Sequence, residues 1–319
     1  MRSLSLLILL FVVSILPAAA QIFPTKAIRM VVPFPPGGPA DMLGRLIAEK
    51  MTQTLGQQVL IENRGGAAGN IGAEAVARMP NDGHALLLNA SSHVINGILY
   101  DKLPYDPIKD FTPVSLVAQY NHILVAHPSL PVRSLKEFVE LARAKPGSIS
   151  VGNSGAGTPG HLAGELFMIT AGIKMLMVSY KGSAPATTDL LGGQIQAMFN
   201  NPVNSLPYLQ AGTMRAIAVT GKKRLAVVPN IPTVDESGYP GFEAGTWFGL
   251  YGPAGMSPAI AARLQDSVAR AVKQPDVAKK LADQAWDVVA NTPAEFAQVM
   301  GEDQKLWSHV IKSAGLKAN

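Results

Sequence analysis

The sequence predicts an α/β fold divided into two lobes. From Ile28 onward, short apolar runs alternate with segments of helical periodicity, a pattern typical of parallel sheets covered by helices. Roughly ten strands are predicted, which is many for a single open sheet. Two stretches without periodicity, 96–114 and 222–245, are rich in turn-forming residues. We interpret them as segments that cross between the lobes or flank them.

The first predicted unit is a strand at 28–34 followed by a helix at 39–55. The strand is a continuous apolar run, IRMVVPF. The helix carries Leu43, Ile47 and Met51 at the spacing of one face of an amphipathic helix. Gly56 follows, as expected of a glycine that ends a helix.

The remaining chain repeats this alternation to its C-terminal end. Further strands are predicted at 59–61, 85–89, 123–126, 148–152, 176–180, 195–199, 215–220 and 247–251. Helices are predicted at 71–79, 135–144, 161–171, 186–191, 203–210, 258–273, 277–284 and 293–313.

The composition excludes several classes of protein. Of 319 residues, 48% are hydrophobic and 15% charged, which is incompatible with a disordered chain. The absence of cysteine excludes disulfide frameworks, thiolate metal sites and cysteine nucleophiles. The formal net charge is +5, but Lys and Arg are scattered. We therefore expect no nucleic-acid partner and at most a weak preference for anionic ligands.

The N-terminus resembles a secretory signal peptide. Arg2 precedes an apolar and weakly polar run at 4–16, and Ala18-Ala19-Ala20 provides an A-x-A site before Gln21. The run is too short to span a bilayer, which takes about 20 residues. We predict that residues 1–20 are removed near Ala20–Gln21 and that the mature chain is exported to the periplasm.

A proline- and glycine-rich loop links the first predicted strand to its helix. Pro39 stands where the first helical residue belongs, and unpaired backbone N–H groups at such a helix start favour an anion. A tight turn capped by Asp41 is the structural alternative. The candidate ligand-binding residues of this loop are Phe34, Pro36, Gly37, Gly38 and Asp41.

A second loop with the same character occupies 152–161. It contains a G-x-G-x-x-G pattern, but Tyr180-Lys181-Gly182 stands where a dinucleotide site needs an acidic residue. We interpret the loop as an anion-binding turn whose candidate residues are Ser154, Gly155, Gly157, Thr158 and His161. The alternative is an exported hydrolase that uses Ser154 as nucleophile with His161 as its base.

Three further strand ends are small, polar and mostly uncharged. In open α/β sheets, ligands bind outside the carboxyl ends of the strands. These ends therefore add eight candidate ligand-binding residues, which are Asn89, Ala90, Ser91, Ser92, Lys181, Gly182, Asn200 and Asn201. The six histidines have no metal-ligand spacing, and we expect no metal, no cofactor and no catalytic residue.

Motifs along nearly the whole mature chain resemble those of Bug-type receptors, the substrate-binding proteins of tripartite tricarboxylate transporters. They include PFPPGGPAD, LPYDPIKDFTPV, VGNSGAGTPGHLAGELF, YKGSAPATTDLLGGQIQAMF and IPTVDESGYPGFE. The resemblance implies a type II periplasmic binding protein fold, with two Rossmann-like α/β lobes and a small organic carboxylate held between them. It also implies that the loops beginning at Phe34 and Ser154 grip the ligand, and that a monomer delivers it to membrane subunits.

This resemblance suggests a division of the chain into lobes and a class of ligand. We expect residues 21–122 and 225–319 to form one lobe and 123–224 the other. Asn200 stands where the family frequently has Asp, so a simple carboxylate is favoured over an amino acid. A sensor subunit that docks on a signalling membrane protein remains an alternative.

Overall fold

The computed structural model of the protein describes residues 23–314. The predicted signal peptide and its cleavage site lie outside the described residues. In chain order the elements are β1 (Ile28–Val32), α1 (Pro39–Leu55), β2 (Val59–Asn63), α2 (Asn70–Ala77), β3 (Ala85–Ala90), α3 (Ser92–Leu99), β4 (Phe111–Asn121), β5 (Ile123–Ala126), α4 (Leu135–Ala144), β6 (Ser150–Asn153), α5 (Pro159–Ala171), β7 (Leu176–Ser179), α6 (Ser183–Leu191), β8 (Ala197–Asn200), α7 (Leu206–Gln210), β9 (Arg215–Val219), β10 (Gly245–Pro253), α8 (Pro258–Lys273), α9 (Pro275–Asp283), β11 (Asp287–Val288) and α10 (Pro293–Ala314).

The described strands form two sheets, one in each lobe. The first sheet has the order β11-β4-β10-β3-β1-β2, and the second has the order β7-β6-β8-β5-β9. Three adjacent strands at one side of each sheet are parallel, β3-β1-β2 in the first sheet and β7-β6-β8 in the second, whereas β10 and β5 run antiparallel to their neighbours. Because parallel strands point the same way, the loops that follow them collect at one edge of each sheet.

The chain crosses between the sheets at two places. The first crossing is the single residue His122 between β4 and β5, and the lobe change at 122/123 stays a prediction. The second leads from β9 to β10. Val234, Phe242 and Ala244 belong to the core of the second lobe, so these contacts favour a boundary near 244/245. The division at 224/225 stays a prediction.

Most observed helix boundaries lie close to the predicted ones, but one long strand was not predicted. Helices α1, α4 and α8 have the predicted bounds. Helix α3 and strand β4 were not predicted, because both overlap the turn-rich stretch 96–114 that we interpreted as a crossing or flanking segment. Pro113 within it also disfavours a central strand. The structure accommodates Pro113 opposite Tyr251, beside a register shift in β10, where β11 does not extend along β4. The proline therefore lies at an open, irregular part of the strand.

The two lobes also contact each other through an apolar group that we call the interlobe cluster. It consists of Ile95 and Leu99 of α3, Leu162 of α5, and Trp307 and Ile311 of α10. All five are less than a tenth exposed. Among residues 23–314, no helix combines the length and the hydrophobicity that crossing a bilayer requires.

Candidate functional site

A cavity lies where the carboxyl ends of strands from both sheets face each other. It contains about 620 Å³ of empty space, part of which is open to solvent. The residues that line this cleft cavity are Phe34, Pro35, Pro36, Gly38, Pro39, Ala40, Ala90, Tyr120, His122, Ser154, Thr158, Pro159, Gly160, Gly182, Ser183, Ala184, Pro185, Met198, Phe199, Asn200, Asn201, Thr246 and Phe248.

Three helices begin at this cavity, α1 from the first lobe and α5 and α6 from the second. Their N-cap residues are Gly38, Thr158 and Gly182, and none of the three caps its helix with a side-chain hydrogen bond. The first-turn N–H groups of each helix that lack a backbone partner can therefore bind a ligand. The helix dipoles add partial positive charge at the same point. An anion would be stabilised from both lobes at once.

The opposing loops come into contact across the cleft. A methyl group at Gly182 would lie 3.2 Å from the Pro35 ring of the other lobe, and one at Gly38 would lie 3.5 Å from the Ser183 hydroxyl oxygen. Glycine is therefore needed at 182 for close approach, and its φ of +117° also favours a residue without Cβ.

Among residues 23–314, no side chain of Asp, Glu, Lys or Arg lines the cleft cavity. Its titratable groups are Tyr120 and His122. Burial lowers the pKa of His122 to about 4, although the main chain of Asn200 offsets part of that effect. Burial raises the pKa of Tyr120. Both side chains are therefore neutral near pH 7. Because the described lining carries no cationic side chain, backbone dipoles are the source of positive potential in the cavity.

The crossing strands form the floor of the cavity, and none of the lining residues on these strands was predicted from the sequence. Tyr120, Thr246 and Phe248 lie on β4 and β10, and Thr246 pairs with Tyr120 in the sheet. His122 Nε2 lies 2.9 Å from the Thr246 hydroxyl. The sequence feature that could have identified these floor residues is the polar run Tyr-Asn-His immediately before the strand predicted at 123–126.

Nine of the predicted site residues line the cleft cavity. They are Phe34, Pro36, Gly38, Ala90, Ser154, Thr158, Gly182, Asn200 and Asn201. Asn200 is fully buried, and its side-chain amide lies 3.2 Å from the Thr187 hydroxyl. Its side-chain oxygen accepts the backbone N–H of Asn201 at 2.9 Å. Asn200 thus shapes the wall with its hydrogen-bonding groups already engaged.

Two more predicted residues, Gly155 and Lys181, line a wider outer groove beside the cavity. The outer groove is formed by residues 33–35, 65–69, 100, 154–156 and 179–182, and it contains about 1110 Å³ of empty space. It shares Phe34, Pro35, Ser154 and Gly182 with the cleft cavity. Lys181 is exposed there, and no carboxylate among the described residues forms a salt bridge with it.

Asp41 stabilises the first loop and does not line the cavity. Its carboxylate accepts hydrogen bonds from Arg45 at 3.1 Å, from the Asn63 amide at 2.9 Å and from the Gly37 backbone N–H at 3.1 Å. Burial raises the pKa of Asp41, but these bonds outweigh that effect and hold the pKa below its usual value. The Gly37 N–H is consequently engaged within the protein.

The other five predicted residues also have partners outside the cavity. Asn89 accepts the Ala90 N–H at 2.8 Å, and the Ser92 hydroxyl donates to the Ala68 carbonyl at 3.4 Å. The Ser91 backbone N–H donates to the Trp247 carbonyl, whereas its buried hydroxyl forms no hydrogen bond with the described residues. Gly157 donates its N–H to His161 Nδ1 at 3.2 Å. As ligand contacts these residues remain predictions.

Ser154 and His161 do not form a nucleophile–base pair. The Ser154 hydroxyl donates to Thr158 at 3.1 Å, whereas His161 Nε2 lies 3.4 Å from Glu165. A serine nucleophile needs a base within hydrogen-bond reach, so this geometry gives the hydrolase hypothesis no support. Within residues 23–314, no group of three or more His, Asp or Glu is arranged to hold a metal ion.

Comparison with known proteins identifies the family of the chain and a protein of similar structure. The sequence model for "Tripartite tricarboxylate transporter family receptor" matches residues 43–316. The structure of the periplasmic binding protein BugD is similar at 34% identity, with a TM-score of 0.89 over 93% of this chain and 100% of BugD. The two-lobed periplasmic binding protein fold predicted from the sequence is therefore confirmed.

Two similar structures contain bound acids. Rpa4515 from R. palustris, with adipate, is 36% identical at a TM-score of 0.88 and covers 92% of this chain and 99% of its own. MatC from Rhodopseudomonas palustris, with bound malate, is 35% identical at a TM-score of 0.86 and covers 91% of this chain and 100% of its own.

Proposed function

Because the chain belongs to the tripartite tricarboxylate transporter receptor family, we propose that it captures a small organic carboxylate between its lobes and delivers it to the membrane subunits of such a transporter. The observation that carries this proposal is the convergence of three uncapped helix starts on a cavity lined by no acidic side chain. Backbone N–H groups and helix dipoles are suited to a carboxylate.

The expected affinity is reasonable for a transport receptor. Three to five hydrogen bonds to a charged group contribute about 1.5–3 kcal/mol each. After the costs of ordering ligand and loops are subtracted, the total can reach the roughly −8 kcal/mol of a micromolar complex. Closing the lobes would remove water and strengthen these bonds.

The lining also favours a simple acid over an amino acid. An ammonium group in the cleft cavity would meet no carboxylate, because Asn200 is uncharged and the cavity has no Asp or Glu. A buried cation without a partner is costly. Adipate and malate, the acids in the two similar structures, are suitable first ligands to test.

Export to the periplasm is part of the proposal. The signal-peptide pattern at 1–20 and the periplasmic location of the similar protein BugD support it. A transporter receptor of this class must meet its ligand outside the inner membrane and release it to the membrane subunits.

The test is calorimetric titration of the purified protein with adipate, malate, succinate, benzoate and glutamate. At least one of the acids without an amine should bind with a dissociation constant in the micromolar range, and glutamate should bind at least tenfold more weakly than the best of them. Binding of none of the five would contradict the proposal.

Lys181→Ala serves as a matched variant in the same titrations. If the distal end of the ligand extends into the outer groove, the loss of this cation should weaken the dicarboxylates tenfold or more and leave benzoate within about twofold. Equal affinities of the variant and the wild type for every acid would show that Lys181 does not contact the ligand.

A further inference from the structure

His122 is a buried polar side chain on the floor of the cleft cavity. It is 3% exposed and lies at the single-residue crossing between β4 and β5. Its backbone is fixed on both sides, since its N–H donates to the Thr220 hydroxyl at 2.8 Å and its carbonyl accepts the Thr220 N–H at 2.9 Å. The ring is thus held in place by the crossing strands.

The two nitrogens of the ring have different surroundings. Nε2 lies 2.9 Å from the Thr246 hydroxyl. Nδ1 is buried, and no group of residues 23–314 forms a hydrogen bond of ordinary geometry with it, although the main chain of Asn200 lies near the ring and offsets part of the effect of burial on its pKa. The ring edge that carries Nδ1 faces Gly160, where an added methyl group would lie 4.0 Å from that nitrogen. Gly160 is the second residue of α5, so Nδ1 faces one of the three helix starts.

Thr246 allows His122 to present a donor to the cavity while the ring stays neutral. A hydroxyl can donate as well as accept. When the Thr246 hydroxyl donates to Nε2, the single ring proton resides on Nδ1. A neutral N–H is then carried by the ring edge that lies beside Gly160 at the start of α5.

We propose that His122 is a ligand-binding residue whose Nδ1–H donates to a carboxylate oxygen held at the start of α5. The inference rests on the proposed function and adds a side-chain donor to the backbone groups. A buried donor without an acceptor is destabilising, and among the buried side-chain atoms of residues 23–314 that lack a partner, His122 Nδ1 belongs to a residue that lines the cleft cavity. An acidic ligand supplies the missing acceptor without requiring a charge on the ring.

Two substitutions separate the ligand-facing nitrogen from the one that faces Thr246. The amide nitrogen of Asn can occupy nearly the position of Nδ1, and that of Gln nearly the position of Nε2. His122→Asn therefore retains a donor toward the ligand, whereas His122→Gln retains a partner for Thr246. Each variant is titrated by calorimetry with the acid of the five-acid set that binds the wild type most tightly.

The proposal expects His122→Asn to bind within about threefold of the wild type and His122→Gln to bind at least tenfold more weakly. The opposite order, or equal affinities for all three proteins, would overturn it. In that case the wild type still binds its acid and the proposed function stands. If the wild type binds none of the five acids, both the function and this inference fail.

A second measurement does not depend on variant folding. In wild-type protein labelled with ¹⁵N-histidine, the Nδ1 resonance assigned to His122 should shift when the acid is added at saturation, and its pattern should remain that of a neutral ring. A His122 spectrum unchanged by a ligand that binds would contradict direct contact.

Discussion

Burial fixes the protonation state of two histidines in this protein. His93 is fully buried, with Nε2 3.0 Å from the Pro107 carbonyl and its ring packed against Phe111 and Tyr251. Burial lowers the pKa of His93 to about 3, and that of His122 to about 4. At the residue scale, both rings are therefore neutral, one as a core residue and the other at the cavity.

These pKa shifts predict a loss of stability in acid. An unfolded histidine takes up a proton near pH 6.5, whereas the folded ones resist it. Protonation thus favours the unfolded state, and the stability present above pH 6.5 falls as pH drops toward 4. Each group contributes up to about 1.4 kcal/mol per pH unit.

The variant His93→Gln tests this prediction, because its amide can still donate to the Pro107 carbonyl. Denaturant unfolding at pH 7 and pH 4.5 should show that the variant loses about 2 kcal/mol less than the wild type over this range. An identical pH dependence in the two proteins would contradict the assigned protonation state.

Helix starts are the elements through which we expect the cleft to bind an anion. Helices α1 and α5 begin with proline, whose missing N–H costs nothing at that position. Helix α6 begins after Gly182, whose φ of +117° and ψ of 168° are accessible essentially to glycine alone. The conformation of Gly182 also lets the loop approach Pro35 of the opposite lobe.

Gly182→Ala should therefore impair binding beyond its effect on stability. The strained backbone and the contact with Pro35 should both displace the start of α6, and we expect at least a tenfold loss of affinity for the best-binding acid. Calorimetry gives the affinity, and denaturant unfolding gives the stability.

The matched control is Gly172→Ala at the C-terminal end of α5. Gly172 has a φ of +62°, but a methyl group there meets no atom within 4 Å. This variant should lose about 1 kcal/mol of stability and bind the acid like the wild type. Equal affinity losses in both variants would indicate a general effect of strain.

Lobe closure is a property of the whole molecule. The interlobe cluster combines α3 and α10 of the first lobe with Leu162 of the second. Leu162 is 1% exposed and does not line the cleft cavity. Its burial stabilises the arrangement in which the helix starts face each other.

Leu162→Ala should weaken binding without touching the ligand. A smaller side chain reduces the apolar area that closure buries, so a larger fraction of the protein is open and the apparent affinity falls. We expect a tenfold or greater loss by calorimetry and a larger radius of gyration by small-angle X-ray scattering.

Leu281→Ala is the control for general destabilisation. Leu281 is fully buried within the core of the first lobe, and its truncation should cost a similar 2–5 kcal/mol while the affinity at 20 °C stays within about twofold. If Leu162→Ala also binds like the wild type, the cluster does not control closure.

Local patterns were sufficient to predict most elements and part of the site. The alternation of strands and helices, the N1 prolines and the glycine-bearing turns are encoded within a few residues of one another. They predicted α1, α4 and α8 to the residue and selected nine residues that line the cleft cavity. Strand β4 was missed because its start lies in the turn-rich stretch 96–114, where the effect of Pro113 depends on the strands beside it.

The sequence by itself determined the α/β class, the glycine-rich turns at the strand ends and the absence of any thiol chemistry, because these depend on composition and on neighbours along the chain. Only the tertiary structure decided that Asp41 supports its own loop, that Lys181 lies in the outer groove and that His122 and Thr246 form the cavity floor. Those roles depend on residues far apart in sequence, such as His122 and Thr246, which meet only when the two crossing strands pair.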